Sequence, residues 1–252
     1  MKNASKAVAQ KNIITRRMAI FAFSSLLLIG AFFYAQSLFA APEAETTPNQ
    51  SEEEQAKGKA FVEATSQRAL DVLKRKETLS EPEIEDEFRV ILTDAFAIDY
   101  IGKLVLGRHR KKATKEELKT YNDLFPDFLI KVYASRLTKL DTTQIDIGRV
   151  IPHGKKDMFV RSKVLGENNE TFDVDWRIRP FNDAGYQIID VKIEGISMAR
   201  TQRDDFTSRV SESQMSGLNQ YMKNIIDGVE EAEPIDIKKD GETADSDIEN
   251  NS

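Results

Sequence analysis

The chain has 252 residues, of which 40% are hydrophobic and 31% are charged, and it contains no cysteine. This composition is that of a globular protein, and the missing thiol excludes disulfides, thiol catalysis, cysteine-bound metals and a lipidated cysteine. The formal net charge of −6 comes from the C-terminal segment 230–252, where nine acidic residues stand against two basic ones. The rest of the chain is nearly neutral, which argues against a binder of nucleic acids.

The N-terminus has the order of residues that is typical of an export signal. Basic residues come first, an uncharged apolar stretch covers 18–35, and small residues follow. We therefore predict an export signal over residues 1–40, with cleavage near 37–41, and a polar linker over 41–54. Two alternatives remain open. An apolar stretch of 18 residues approaches the length of an uncleaved membrane anchor, and the paired arginines before it fit a twin-arginine export route.

Helical periodicity dominates the region before residue 141. Apolar residues recur at spacings of three and four from near residue 53 onward. Ser80 with Glu83, and Thr114 with Glu117, match the pattern of a capping box, so a helix is predicted to begin at each place. The second of these helices carries the clearest apolar stripe, and Pro126 inside it is expected to kink it or split it in two.

Beyond residue 141 the hydrophobic period changes from 3.6 to 2. Turns rich in Gly, Asn and Asp separate four predicted strands, which are 144–151, 157–165, 171–179 and 185–194. Short connections between consecutive strands predict an antiparallel meander with one exposed face. That face is expected to carry Asp190 and a cross-strand charge network that includes Asp173, Asp175, Arg177 and Arg179.

A helical pattern returns over 196–228, with a break expected near Gly217. The tail 229–252 is acidic and lacks aromatic residues, and it is predicted to be disordered. The sequence therefore predicts an α+β fold in which helices cover one face of an antiparallel sheet. The many inward apolar residues fit either a filled core or a cavity, because both produce the same periodicity.

No motif predicts catalysis or a metal site. Residues 102–109, GKLVLGRH, come close to a phosphate-binding P-loop but place Arg108 and His109 where that motif needs Lys and Ser or Thr. His109 and His153 are the two histidines of the chain, and both are predicted to be surface residues because no triad or metal spacing surrounds them. The basic run 108–112 is predicted to be a solvated loop, with docking to a partner or a membrane surface left open.

Four motifs that occur in a fixed order carry a resemblance to a known family. They are DYIGKLVLGRHRKKATKEE at 99–117, FPDFLIKVYASRL at 125–137, DVDWRIR at 173–179 and YQIIDVKIEGISMARTQRDDF at 186–206. The chain of motifs resembles the MlaC family, the secreted phospholipid carriers of the Mla (toluene-tolerance) ABC transport system of Gram-negative bacteria. The resemblance covers residues 55–228 and leaves out the acidic tail and the long lead before the apolar stretch.

The resemblance implies an NTF2-like α+β fold, in which a curved four-stranded antiparallel sheet is wrapped by N- and C-terminal helices and encloses an apolar cavity. It implies a monomeric periplasmic protein that is not an enzyme, needs no cofactor and binds phospholipid as its transported ligand. The expected partners are an inner-membrane ABC transporter complex with its substrate-binding ring and an outer-membrane lipoprotein–porin complex. Shuttling between them would maintain the lipid asymmetry of the outer membrane.

Acyl chains are then expected between the sheet and the helices. The residues expected to line the cavity are Tyr100, Leu104, Phe125, Phe128, Leu129, Val132, Tyr133, Val174, Trp176, Ile178, Val191, Ile193, Ile196 and Met198. Arg136 and Arg177 are candidate contacts for a headgroup phosphate, with structural ion pairs as the alternative. Arg200, Gln202 and Arg203 are expected where a headgroup or a partner can reach them.

Two functions of other classes remain open. NTF2-like folds also host isomerases and dehydratases, and such an enzyme would need a carboxylate or a histidine that faces the apolar interior. A pure adaptor would have a filled core and a docking surface instead of a cavity.

Overall fold

The computed structural model describes residues 51–138, 142–166, 171–182 and 184–232. The predicted export signal, most of the linker and most of the acidic tail lie outside these residues. Within the described ranges, no helix combines the length and the apolarity that crossing a bilayer requires.

The described residues form five α-helices and one short 3-10 helix, and the 3-10 helix lies where residues 108–112 were predicted to be a loop. The helices are α1 (Glu52–Lys74), α2 (Glu81–Ala95), α3 (Ile98–Leu106), the 3-10 helix (Gly107–Lys111), α4 (Lys115–Thr138) and α5 (Met198–Ile226). Both predicted capping boxes are confirmed: the Glu83 carboxylate accepts the Ser80 N–H at 2.8 Å, and the Glu117 carboxylate accepts the Thr114 N–H at 2.9 Å. These caps satisfy backbone donors that a helix leaves free at its start. The helix α4 continues through Pro126, so it is not split there.

The sheet is an antiparallel meander, as predicted, with one strand more than expected. Its strands are β1 (Thr142–His153), β2 (Asp157–Gly166), β3 (Thr171–Phe181), β4 (Gly185–Ile193) and β5 (Ile196–Ser197), and neighbours in sequence are neighbours in the sheet. The two-residue β5 was expected to belong to the last helix. It pairs with the end of β4 because the chain reverses at Glu194 and Gly195, both of which have positive φ.

The exposed face of the sheet carries the expected network of charges, with partners on β2. Asp175 binds the Arg161 guanidinium through two hydrogen bonds of 2.8 and 2.9 Å, and Lys163 lies 2.8 Å from Asp173. On the same face Asp157 accepts hydrogen bonds from two arginines of β3. Opposite charges therefore alternate between β2 and β3 and hold the register of these two strands.

The helix α5 is broken, as predicted, although the break is centred three residues before Gly217. Gln214 has φ 63° and ψ −174°, a conformation that residues with a side chain rarely adopt. The break brings the side chain of Ser213 so close to Gly217 that a Cβ there would lie 2.1 Å from the Ser213 oxygen. Both halves of α5 nevertheless contribute to one core, through Phe206 before the break and Met222 after it.

The apolar interior has separate parts. Helices α3, α4 and α5 form a helix–helix core that includes Phe128, Phe206 and Met222, and α1 packs its Val62 against Ile178 of the sheet. Helices α1 and α2 pack against α4 in a further cluster. Because helices meet helices on one side and the sheet on the other, a space remains where the two kinds of packing join.

Candidate functional site

An apolar cavity of about 270 Å³ occupies this space. All five α-helices and the strands β1 to β4 contribute to its wall. The lining residues are Thr65, Ala69, Leu73, Phe88, Ile91, Leu92, Phe96, Ile101, Val105, Phe125, Leu129, Ile130, Tyr133, Ala134, Leu137, Thr142, Ile145, Val164, Phe172, Val174, Trp176, Ile189, Asp190, Val191, Ile193, Met198, Ala199 and Gln202. Such a lining, with few polar groups, is typical of sites that bind apolar ligands.

The helix α4 supplies one side of the wall because it is apolar on two faces. Phe125, Leu129 and Tyr133 follow one another at intervals of four residues and line the cavity. Phe128 and Val132 belong to a neighbouring row and pack instead into the core with α5. Residues four apart lie above one another on a helix. Phe125 and Leu129 lie at the boundary, because they line the cavity and also belong to the helix–helix core, where the Phe125 ring centroid is 6.4 Å from that of Phe206 on α5.

The sheet supplies the opposite side through alternate residues of β3 and β4. Val174 and Trp176 of β3 lie directly across from Ile193 and Val191 of β4, and all four line the cavity. The Trp176 ring is held in place because its Nε1–H donates to the Ser162 oxygen at 3.0 Å. A tryptophan with its donor satisfied inside the protein can present its ring to an apolar ligand.

One carboxylate, Asp190, belongs to the lining. Its two oxygens accept hydrogen bonds from the Ser197 hydroxyl at 2.6 Å and from the Ala199 N–H at 3.0 Å. Burial raises the pKa of the Asp190 carboxyl, and these hydrogen bonds oppose that shift. The carboxylate therefore anchors the first turn of α5 to β4, and both of its oxygens are occupied by that task.

The placement of Asp190 on the exposed face was wrong, since the side chain is only 6% exposed. Hydrogen bonds from the segment after β4 are the reason: the Ser197 hydroxyl and the Ala199 N–H both donate to the Asp190 carboxylate. The start of α5 therefore covers Asp190, although the register of the sheet still pairs it with Arg177. Periodicity of two within β4 does not show what packs over a residue of the strand.

The electrostatics of the cavity favour uncharged contents. Burial raises the pKa of Tyr133 to about 12, so this phenol stays neutral at physiological pH. Among the described residues of the lining there is no lysine, arginine or histidine. The part of the chain that the structure describes also holds no group of three His, Asp or Glu residues that is placed to bind a metal ion.

The sequence profile of the MlaC protein family matches residues 63–224, well over half of the chain. The chain belongs to the MlaC family. A solved structure with a similar fold is that of the phospholipid-binding protein from Ralstonia solanacearum in complex with a phospholipid. The TM-score is 0.55 at 20% sequence identity, and the match covers 68% of this chain and 97% of that one. At this identity the similarity concerns the fold, and it supports the NTF2-like α+β architecture of the MlaC family.

The structure brings eight of the fourteen residues expected to line the cavity into its wall. They are Phe125, Leu129, Tyr133, Val174, Trp176, Val191, Ile193 and Met198. Residues from α1 and α2 that had no assigned role join them. The apolar stripes of these two helices are visible in the sequence, but nothing in a stripe tells which element it faces.

The other six lie outside the lining. Phe128 and Val132 are in the helix–helix core, and Leu104 packs against that core. Ile178 is fully buried under α1, and Ile196 is buried in β5. Tyr100 lies at the end of the sheet, where its ring meets Phe181 edge to face and the Arg179 guanidinium 4.9 Å away.

The two arginines considered for a headgroup occupy different surroundings. The guanidinium of Arg177 donates two hydrogen bonds, of 2.9 and 2.6 Å, to Asp157 on the face of the sheet that points away from the cavity. Arg136 is half-buried on α4, and its guanidinium lies 5.7 Å from the ring of Tyr133, which lines the cavity. Of the two, Arg136 is the one beside the cavity.

Proposed function

We propose that this protein is a periplasmic phospholipid carrier that takes acyl chains into the cavity between its helices and its sheet. The observation that supports this most directly is the apolar wall, which is built from nearly every element of the fold and has one carboxylate that is already bonded. An adaptor with a filled core would have no reason to keep such a space. Arg136 is the proposed contact for the lipid headgroup.

The energetics of such a cavity suit transfer rather than trapping. Burial of one methylene is worth about 0.8 kcal/mol, so two acyl chains of ordinary length gain on the order of 20 kcal/mol relative to water. A bilayer offers nearly the same gain. Movement between bilayer and cavity is therefore close to balanced, and its direction must come from the partners.

The proposed partners follow from membership of the MlaC family. We infer exchange of lipid with an outer-membrane lipoprotein–porin complex and with an inner-membrane ABC transporter complex and its substrate-binding ring, which would maintain outer-membrane lipid asymmetry. The proposed organisation is an export signal over 1–40, a linker over 41–54, a monomeric carrier domain over 55–228 and an acidic tail. Sequencing the N-terminus of the protein recovered from the periplasm would test the export signal.

The chain offers its own reporter of acyl chains, because Trp176 is its one tryptophan and lines the cavity. Liposomes of phosphatidylcholine with brominated acyl chains are mixed with the purified protein, which is then separated from them. Bromine quenches an indole only at short range, so we expect loss of fluorescence with brominated lipid and none with the unbrominated lipid. Equal fluorescence with both lipids, together with no lipid in an extract analysed by mass spectrometry, would contradict the proposal.

A further inference from the structure

The buried imidazole of His109 is a feature that the carrier role does not explain. His109 lies in the 3-10 helix and is 8% exposed, so its prediction as a surface residue was wrong. Its Nε2 is buried without a hydrogen-bond partner among the described residues. A buried polar atom of this kind marks a place where a ligand, an ion or a water completes the structure.

Three cations surround this imidazole. Arg108 directly precedes it, Lys112 follows it by three residues, and Arg203 of α5 packs against the nearby Gly107. The Arg203 guanidinium lies flat against Gly107, where a Cβ would come within 3.0 to 3.2 Å of its Nε, Cζ and Nη2 atoms. Gly107 also has φ +52°, so both its conformation and its missing side chain make room for the guanidinium.

These cations are not neutralised. Elsewhere the side chains of Arg68, Lys131 and Arg161 each reach a carboxylate within 3.0 Å. No such ion pair or hydrogen bond joins the side chains of Arg108, Lys112 or Arg203 to any residue that the structure describes. Burial first, and then the charges of these three residues, lower the pKa of His109, and no carboxylate acts against them.

The cluster adjoins the cavity. Val105 of α3 and Gln202 of α5 both line the cavity. Gly107 and Arg108 follow the first of these within three residues, and Arg203 directly follows the second. The contact of Gly107 with Arg203 therefore joins the two elements next to residues that line the cavity.

We propose that Arg108, Lys112 and Arg203 form a binding site for a phosphate group beside His109. A guanidinium presents two parallel N–H donors that match two phosphate oxygens, and two further cations supply charge without fixed geometry. The phosphate is either free inorganic phosphate or that of a phospholipid whose chains fill the cavity; in the second case the headgroup is held here and not at Arg136. The site itself does not depend on the carrier role.

The two histidines make the first test specific, because the chain has no others. Inorganic phosphate is titrated into the lipid-free protein at constant ionic strength, and both imidazoles are followed by 15N NMR. An anion beside the cations offsets their charge, so the pKa of His109 should rise toward its ordinary value while that of His153 stays constant. Equal responses of the two histidines, or none, would overturn the proposal.

Variants assign the site to its residues. Arg203→Gln and Arg108→Gln should each weaken phosphate binding about tenfold or more, since each removes a charge-assisted contact. Arg203→Lys keeps the charge and loses the paired donors, so its affinity should be intermediate. The matched control is Lys155→Gln with Lys156→Gln, in the turn that follows His153, and it should change nothing. An Arg203→Gln protein that melts normally and binds phosphate as tightly as the wild type would refute the site.

The source of the phosphate is decided with two lipids that have identical chains. Loading with phosphatidylglycerol should shift the His109 resonances and block inorganic phosphate, whereas diacylglycerol should do neither, if the lipid phosphate occupies the site. Binding of inorganic phosphate to both loaded forms would support the site with free phosphate as the ligand. If the lipid-free protein binds phosphate but no lipid can be loaded, the carrier role alone is contradicted. If lipid is loaded but the lipid-free protein does not bind phosphate, the site alone is contradicted.

Discussion

Val191→Arg should abolish retention of lipid while leaving the fold intact. Val191 is half-buried in the middle of β4, directly across from Trp176, and its side chain lines the cavity. It lies on the face that is occupied by acyl chains in the proposed complex. The substitution leaves the helix–helix core in place, because Val191 lies in the sheet and is not part of that core.

The expected loss follows from volume and charge. An arginine side chain has about four more heavy atoms than valine, and the displacement of about four methylenes costs about 3 kcal/mol. This loss corresponds to roughly a hundredfold weaker retention. A guanidinium that stays in the apolar cavity adds a desolvation penalty of several kcal/mol, unless its flexible stem carries the charge to water. About a hundredfold is therefore the lower bound.

Phospholipid bound per protein is measured by mass spectrometry after purification and again after incubation with liposomes. The matched control is Val90→Arg, the same change at a valine of α2 that is 54% exposed, and it should bind lipid as the wild type does. Circular dichroism and thermal melting establish that both variants are folded. A folded Val191→Arg protein that carries wild-type amounts of lipid would refute the placement of acyl chains against β4.

Three further predictions concern stability. Because burial raises the pKa of Asp190, the folded state holds that proton more tightly than the unfolded state, so the free energy of unfolding falls as pH rises from the ordinary pKa of an aspartate through the raised one. Asp190→Asn should remove this pH dependence when unfolding in urea is measured at several pH values. Parallel profiles for the wild type and the variant would contradict the prediction. Asp157→Ala leaves two arginines without their buried partner and should cost about 3–5 kcal/mol in urea unfolding, whereas Asp173→Ala removes one side of an exposed pair and should cost much less. Equal losses would show that burial does not matter here. Gln214→Gly relieves a positive φ and should stabilise the protein by about 1 kcal/mol, whereas the control Gln220→Gly, in regular helix, should destabilise it by about as much. A lower melting temperature for Gln214→Gly than for the wild type would rule out strain at the break.

Local signals were sufficient wherever structure depends on neighbours in sequence. The boxes at Ser80 and Thr114 begin helices because a side chain and a backbone group three residues apart satisfy each other. The alternation in β3 separates Asp175 from Trp176 because successive residues of a strand point to opposite faces. The motifs from 99 to 206 carried the family, and the match over 63–224 confirms it.

Other features had no local signal. The α4 stripe does not reveal that Phe125 and Leu129 reach the cavity while Phe128 lies wholly in the core with α5, because both rows are equally apolar. The burial of Asp190 depends on the start of α5, whose Ser197 and Ala199 donate to its carboxylate, and periodicity within β4 cannot show this. The burial of His109 likewise depends on its neighbours in space.

The sequence by itself determined the order and type of the elements, the antiparallel meander and membership of the MlaC family, because periodicity, caps and motifs are properties of short stretches. Only the tertiary structure decided that the apolar interior contains a cavity instead of a filled core. A helix with two apolar faces, such as α4, is compatible with a cavity and with a filled core. Which of the two forms depends on how closely the sheet and the helices can approach each other. That distance is set by every packed residue together, and no single stretch of sequence contains it.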